Sequence, residues 1–346
     1  MARFLCGVMG DAWGHVHEAL ALTEALRGHE FLFVGGGRAL ELDRTGFAVH
    51  EVPVPGTVYA DNRVDALATL RRALVAAVIR EFETDLVLSL YEIVTAVAAR
   101  RAGVPCYSLD HQHLLTHCSF GRPPGQAGSR WGLSLSMRLL YSWPRSYLVH
   151  SFFPVTPLLP DRTEVFAPLL SPRLEEIAPT RGDHVVIYQT SPTFRALVPA
   201  LARLSGPCRC YGFGERPPAG AVTFHRFSRE RFLADLSSCR YLVANGSHTV
   251  LSEALHLGKP VLAFPIAGAY EQFVNARMLR ELGYGDCSLA SDPGPELFEL
   301  FEQRLPEYES RLTGGEFHGT ARLAARLEQL ADRNRSDRLQ SPPRRQ

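Results

Sequence analysis

The sequence predicts an α/β protein of two Rossmann-like domains, each a doubly wound parallel sheet, facing each other across a cleft. Three observations predict this fold. The chain has 346 residues, about twice the usual size of one domain. Two series of short apolar runs alternate with helix-like segments, which is typical of parallel strands joined by crossover helices. A proline-rich stretch separates the two series.

The first series covers the N-terminal part of the chain. Its apolar runs predict strands at 4–8, 31–34, 48–52, 86–90, 105–109 and 147–150. The segments between them predict helices at 15–27 and 64–81, and a further helix that ends at Arg101. Residues 121–130 are rich in glycine and proline, which predicts a long loop, either a functional lid or a disordered connection.

The second series follows a segment, 154–179, that carries six prolines without sustained periodicity. It predicts strands at 184–188, 208–211, 222–224, 241–244 and 261–264, and a closing helix at 317–332. We therefore expect a first domain at 1–155, a linker at 156–182, a second domain at 183–335 and a disordered tail at 336–346. Open parallel sheets bind ligands at the carboxyl ends of their strands, so the cleft is the expected active site.

Composition narrows the class of protein. The formal net charge of +1 lacks the basic excess of a nucleic-acid binder. Seven scattered cysteines, mostly in apolar runs, predict reduced thiols and a cytoplasmic protein. No opening stretch resembles a signal peptide, and no apolar run approaches the roughly 18 residues of a membrane span. Peripheral contact with the inner face of a membrane stays open.

The segment 245–275 contains the most informative motif. A strand end leads through a turn of small residues into a helix that begins with Gly246, Ser247, His248 and Thr249. The backbone N–H groups of such a turn form an anion site suited to a diphosphate, and a serine or threonine hydroxyl can add a donor. Glu253, inside the helix, can accept both hydroxyls of a ribose. A plain helix cap with a solvated glutamate is the simpler alternative.

Glu271 and Gln272 begin the next predicted helix, and Asn275 follows one turn later on the same side. Together they supply acceptors and donors to a small polar ring such as a sugar. An acidic first turn that complements the helix dipole would explain Glu271 but neither of the two amides.

In this order, these residues resemble the nucleotide-sugar signature of GT-B fold glycosyltransferases. The similarity is greatest to the UDP-glycosyltransferase and lipid-II-forming N-acetylglucosaminyltransferase families. It implies that Glu271 and Gln272 bind the donor sugar, that Phe227 lies beside the nucleotide base, and that Thr190 and Ser191 bind the distal phosphate. The chain departs from the family pattern, because Ser247 stands where a glycine is usual and Val250 where the plant-type members hold serine.

The turn after the first strand reads Gly-Asp-Ala-Trp-Gly-His and ends at Gly14 and His15. It lacks the third glycine of a dinucleotide fingerprint, which disfavours a nicotinamide cofactor. It resembles the glycine-rich turn of the same glycosyltransferases, in which a histidine deprotonates the acceptor hydroxyl. The resemblance places His15 as that base, on the acceptor side of the cleft with Gly14, and imidazole suits the step because its pKa is near neutral.

A base of this kind needs a second group to orient it. Asp110, at the end of the strand 105–109, is the expected partner, because the two strand ends should open on one cleft. His111, His113 and His117 crowd the same loop and are alternatives, and we place His113 on the acceptor side. Four histidines with one aspartate are also compatible with a metal site, but their place on an irregular loop argues against one. We therefore expect no metal and no cofactor.

The segment 131–153 mixes Trp, Tyr, Leu and Phe with Arg138 and Arg145. It can form a wall of the acceptor pocket, an interfacial patch for a lipid-linked acceptor, or ordinary core.

The sequence therefore predicts a glycosyltransferase that needs no metal. It moves a sugar from a nucleoside-diphosphate sugar, UDP-sugar first among them, to the hydroxyl of a small-molecule or lipid-linked acceptor. By resemblance, the anomeric centre inverts. A non-hydrolysing sugar-nucleotide 2-epimerase and a non-catalytic nucleotide-sugar-binding subunit are the alternatives.

Overall fold

The computed structural model describes residues 1–11, 13–52, 78–190, 194–204 and 206–340. These residues form two parallel sheets with helices on their faces. The predicted α/β fold with two doubly wound domains is confirmed. Most of the predicted helix at 64–81 lies outside the described residues. Its described part, residues 78–81, is helical.

The first sheet has seven parallel strands in the order β3-β2-β1-β4-β5-β7-β9. They are β1 (Arg3–Val8), β2 (Glu30–Gly35), β3 (Ala48–Glu51), β4 (Leu86–Leu90), β5 (Cys106–Asp110), β7 (Ser146–His150) and β9 (Thr163–Phe166). The helices of this part are α1 (Trp13–Ala25), α2 (Ile93–Ala102), α3 (Leu114–His117) and α4 (Ala127–Leu140), with a 3-10 helix at Gly37–Thr45. Two short strands, β6 (Cys118–Ser119) and β8 (Thr156–Pro157), pair antiparallel.

The second sheet has six parallel strands in the order β12-β11-β10-β13-β14-β15. They are β10 (Val185–Tyr188), β11 (Cys208–Tyr211), β12 (Val222–His225), β13 (Leu242–Ala244), β14 (Val261–Ala263) and β15 (Gly285–Cys287). A 3-10 helix at Pro172–Glu176 precedes it, and its helices are α5 (Leu197–Leu201), α6 (Arg229–Ser238), α7 (His248–His256), α8 (Tyr270–Glu281), α9 (Pro295–Gln303) and α10 (Leu305–Leu312).

The last helix, α11 (Thr320–Gln340), returns to the first sheet. Its apolar side, including Leu323 and Leu327, joins the core formed by β1 and α1. Its polar end is held by Asp85, which pairs with Arg335 at 3.2 Å and also with Arg338. The chain therefore enters the second domain and ends on the first.

Several expected boundaries differ from the structure. The expected linker at 156–182 contains β9, which pairs with β7 and extends the first sheet. The expected second domain, to residue 335, includes α11, which packs on the first domain. Residues 336–340 of the expected tail continue that helix, and 341–346 lie outside the described residues. The predicted loop at 121–130 ends where α4 begins, at Ala127.

Each sheet reverses its strand order at one place, between β1 and β4 in the first and between β10 and β13 in the second. The segments that follow these four strands meet in one cleft between the domains, where α/β sheets bind ligands. Among the described residues, no helix is long and apolar enough to cross a membrane.

Candidate active site

The cleft between the two sheets encloses about 260 Å³. It brings together eight of the predicted site residues, which are Gly14, His15, Thr190, Ser247, His248, Thr249, Glu271 and Gln272. Six further residues line it. The sequence raised His111 as an alternative partner of His15 and placed Leu133 in a possible pocket wall, but it did not single out Asp11, Glu18, Tyr91 or Gln112. Ser191 lies outside the described residues. The first domain thus contributes titratable side chains such as His15 and Glu18. The second contributes the N-terminus of α7 and the polar side chains of Glu271 and Gln272.

His15 lies in the first turn of α1 and is oriented by its own helix. Its Nδ1 is 3.1 Å from Oε2 of Glu18, one turn further along, and both side chains are buried. This pairing leaves Nε2 as the ring nitrogen available to a substrate. The expected partner, Asp110, does not contact His15, so that expectation is wrong. The sequence analysis missed Glu18, although residues three apart on a helix are neighbours and this spacing could have pointed to it.

The environment of His15 strengthens it as a base. Burial alone would lower the pKa of its imidazole. The hydrogen bond and charge of Glu18, helped by Asp11 and Asp110, outweigh burial and raise that pKa to about 9. In the ligand-free protein the His15 imidazole is therefore largely protonated at neutral pH, and His15 becomes a base as the pH rises.

Asp110 instead organises the loop after β5. Its carboxylate accepts hydrogen bonds from the Ser108 hydroxyl at 2.6 Å and from the His113 backbone N–H at 2.8 Å. It also lies 2.6 Å from Nδ1 of His113. Although burial opposes it, the charge and hydrogen bonds of His113 hold the pKa of Asp110 well below its usual range. Neither residue lines the cleft, so the structure gives both a positioning role.

The N-terminus of α7 faces the cleft with its backbone donors free of side-chain caps. Ser247 is the N-cap residue, yet its hydroxyl makes no capping hydrogen bond, and Ser247 and Thr249 both line the cleft. Gly246 allows the close approach of α8, since a Cβ at this position would lie 2.1 Å from the Gln272 carbonyl oxygen. Uncapped N–H groups and the positive end of the helix dipole suit an anion.

Thr190 is tied to the turn after β13. The Asn245 side-chain oxygen accepts hydrogen bonds from the Thr190 backbone N–H at 2.8 Å and from its hydroxyl at 3.1 Å. The Asn245 amide donates to Gln189 at 2.8 Å and to the Phe264 carbonyl at 3.2 Å. Asn245 therefore fixes three strand ends relative to one another, which the sequence did not predict.

Glu271 and Gln272 enter the cleft from the start of α8. Gln112, on the opposite domain, donates to Glu271 at 3.2 Å, and burial raises the pKa of Glu271 to about 7. Gln272 accepts from the Ile266 backbone N–H at 3.1 Å through Oε1, which leaves its NH₂ group for a ligand. Asn275 is fully buried behind them, donates to the Gly246 carbonyl at 2.9 Å and does not line the cleft.

Two predicted nucleotide contacts are engaged elsewhere. Glu253 is buried and paired with the Arg229 guanidinium through contacts of 2.5 and 2.9 Å. Phe227 is stacked against Trp13 and His17 of α1, with ring centroids 6.4 and 6.1 Å away. Neither residue lines the cleft, and a nucleotide that uses them has to displace these partners.

The comparisons with known proteins agree with this architecture. The sequence profile described as glycosyl transferase family 1 matches residues 2–306, most of the chain. The chain belongs to this family. An uncharacterized glycosyltransferase of Methanosarcina mazei is 25% identical to this family 1 chain, with 89% of this chain and 90% of that protein covered. A second, from Methanosarcina acetivorans, is also 25% identical and covers 88% and 89%.

Solved structures show the fold of this family 1 enzyme. MurG of Acinetobacter baumannii superposes with a TM-score of 0.64 at 15% identity, covering 95% of this chain and 100% of that one. A UDP-glucosyltransferase of Polygonum tinctorium gives 0.68 at 13% identity, covering 96% and 98%. VinC, solved with dTDP, gives 0.65 at 16% identity, covering 96% and 100%. The predicted GT-B fold, the resemblance and the glycosyltransferase class are therefore confirmed.

Proposed function

We propose that this enzyme transfers a sugar from a nucleoside-diphosphate sugar, UDP-sugar first among candidates, to an acceptor hydroxyl with inversion and without a metal in the reaction. One observation carries the proposal. A buried His15–Glu18 pair on the first domain faces an uncapped helix N-terminus on the second across one cleft. Acid–base chemistry and anion binding are thus combined where a sugar would lie between them.

The division of labour follows from this geometry. The start of α7 binds the diphosphate and stabilises the charge that develops on it as the glycosidic bond breaks. The NH₂ group of Gln272 and the carboxyl of Glu271 bind sugar hydroxyls. Nε2 of His15 takes the proton of the acceptor hydroxyl while that oxygen attacks the anomeric carbon, and Glu18 stabilises the imidazolium that forms.

Thermal-shift measurements with UDP, TDP and GDP, each with and without excess chelator, test donor binding. A ligand that binds only the native state raises its melting temperature by mass action. We expect at least one nucleoside diphosphate to raise it equally in both conditions. If no nucleoside diphosphate raises the melting temperature, the proposal of nucleotide-sugar transfer is wrong. If the melting temperature rises only in the sample without chelator, the proposal of metal independence is wrong.

The acceptor side supports peripheral contact with an anionic membrane and hence a lipid-linked acceptor. Leu133 of α4 lines the cleft, whereas Trp131, Leu135 and Leu139, four residues apart on the outer face, are 69%, 39% and 62% exposed. Residues 111–160 contain four arginines and no aspartate or glutamate. An exposed apolar stripe within a basic segment suits the interface of anionic lipids.

Sedimentation with vesicles of phosphatidylglycerol or phosphatidylcholine tests this surface. We expect binding to the anionic vesicles only, and loss of that binding in the double variant Trp131→Ala, Leu139→Ala. Leu300→Ala is the matched control, because Leu300 is 60% exposed on α9 of the second domain. Equal binding by the double variant and the control would contradict the proposal and favour a small-molecule acceptor.

A further inference from the structure

Three buried histidines meet at the wall of the cleft, and the proposed transfer chemistry uses none of them as an acid, a base or a donor ligand. Two of them, His111 and His248, line the cleft, and His150 lies behind them. His111 follows β5, His150 ends β7 and His248 begins α7, so two come from the first domain and one from the second. One ring nitrogen of each lies within 4.8 Å of the other two. All three side chains are at most 4% exposed.

The hydrogen bonding of this cluster is incomplete. Within the described part of the chain, neither ring nitrogen of His150 has a hydrogen-bond partner, although both are buried. Its Nε2 lies 3.4 Å from Oε1 of Glu18. An imidazole with two buried and unsatisfied nitrogens costs free energy, because each lost contact with water is not replaced.

His111 carries a second mismatch. Its Nδ1 lies 2.8 Å from the His150 carbonyl oxygen and its Nε2 lies 2.8 Å from Oδ1 of Asn275. Both neighbours are acceptors, and a neutral imidazole has only one N–H to donate. Turning the Asn275 amide does not help, because its NH₂ group already donates to the Gly246 carbonyl at 2.9 Å. The site is short of positive charge or of a proton.

We propose that His111, His150 and His248 form a binding site for a divalent first-row transition ion, such as Zn²⁺, that joins the two domains. Imidazole nitrogen is a preferred ligand of these ions. The surrounding oxygens are those that orient metal-binding histidines: Nδ1 of His111 donates to a backbone carbonyl, and Nε2 of His150 faces a carboxylate. Neutral imidazole is the form that binds such an ion.

Binding requires a small local closure. Zn–N bonds of about 2.0–2.1 Å place neighbouring ligand nitrogens about 3.4 Å apart, so nitrogens that now lie within 4.8 Å of one another must approach by up to about 1.4 Å. The His248 ring, stacked on His111 at 3.6 Å between centroids, has to rotate off that face. His248 lines the open cleft, which gives it room to do so. The ion stabilises the closed pair of domains and takes no part in sugar transfer. This departs from the sequence-based expectation of no metal.

Titration of the tag-free, chelator-treated full chain with Co²⁺, followed by visible absorption, and with Zn²⁺, followed by calorimetry, tests the site without donor or acceptor. We expect one ion per chain and a higher melting temperature with Zn²⁺ but not with Mg²⁺, which prefers oxygen ligands. His248→Asn should weaken binding by at least the roughly 10- to 100-fold that loss of an outer-shell partner costs.

His225→Asn, which removes a histidine outside the cluster, should bind as the wild type does. His150→Asn is a second test of the site. If this variant does not fold, the result for His248→Asn is used alone, because the His248 side chain faces the cleft and its replacement should disturb the fold less. Absence of one-to-one binding in the wild type, or unchanged affinity in His248→Asn, would overturn the site while leaving the transferase proposal intact.

Discussion

At the residue scale, the behaviour of His15 depends on a glutamate three positions away on its own helix. The sequence located His15 through its place after the first strand, but it did not locate the partner. Which carboxylate reaches the ring depends on the rotation of α1 about its axis, and packing against the sheet sets that rotation. In this rotation Glu18 lies 3.1 Å away, whereas Asp110 turns into its own loop.

Replacement of Glu18 should move the pH dependence of transfer. In the wild type, kcat/KM should rise with pH up to about 9, because only neutral His15 accepts a proton. In Glu18→Gln burial remains, while the hydrogen bond and charge of Glu18, the largest causes that raise the pKa of His15, are lost and only the weaker effects of Asp11 and Asp110 stay, so the midpoint should fall below about pH 6.5. The plateau value of kcat/KM at high pH should fall by on the order of 10- to 100-fold, because Glu18 no longer orients the His15 imidazole.

Glu24→Gln is the matched control for that pH–rate profile. Glu24 lies on the same helix, but its carboxylate pairs with Arg173 at 2.9 Å and contacts the Ser171 hydroxyl, away from the cleft. Its profile should match the wild type. An unshifted midpoint in Glu18→Gln would show that His15 does not set the pH dependence.

At the element scale, the start of α7 was predictable because small residues after a strand and before a helix have a clear pattern. What the sequence could not show is that the Ser247 hydroxyl leaves the helix uncapped, since this depends on a side-chain rotamer. Nor could it show that Asn245 holds three strand ends together, because these contacts join parts of the chain far apart in sequence.

Capping α7 with a carboxylate should separate stability from donor binding. In Ser247→Asp the carboxylate can accept the free N–H groups and complement the dipole, raising the free energy of unfolding by about 0.5–1 kcal/mol. The same charge should weaken binding of a nucleoside diphosphate by roughly 10-fold or more. Thermal melts and calorimetric titration measure the two effects.

Ser247→Asn is the neutral comparison at that position. Asparagine caps a helix about as well as aspartate, so its stability should also rise, while diphosphate binding falls less. If Ser247→Asp bound the diphosphate as tightly as Ser247→Asn, the start of α7 would not be the anion site.

At the scale of the whole molecule, α11 ties the end of the chain to the first domain. The alternation of strands and helices predicted two sheets, yet it did not predict which sheet receives the last helix. An amphipathic helix can cover either core, and the choice depends on tertiary contacts such as Leu327 against α1 and Arg326 with Glu164 at 2.7 Å. The same limit applies to β9, four residues long in a proline-rich segment, and β15, three residues long, which carry little pattern of their own.

Truncation of Leu327 should therefore destabilise the fold. This leucine is fully buried in the core of the first domain, and Leu327→Ala should lower the free energy of unfolding by about 2–5 kcal/mol. Arg333→Ala, an exposed position on the same helix, should change it by less than about 0.5 kcal/mol. Urea unfolding measures both, and equal effects would mean that α11 is not part of that core.

The most direct test of the central claim is cleavage of labelled nucleotide-sugars by the purified enzyme, with water or simple hydroxyl compounds as acceptors. The wild type should release nucleoside diphosphate and a sugar product of inverted anomeric configuration from at least one donor, as read by NMR. His15→Ala should still bind that donor but lose roughly 100-fold or more of the cleavage rate. Unchanged cleavage in His15→Ala, an epimerised donor, or no cleavage of any nucleotide-sugar would contradict it.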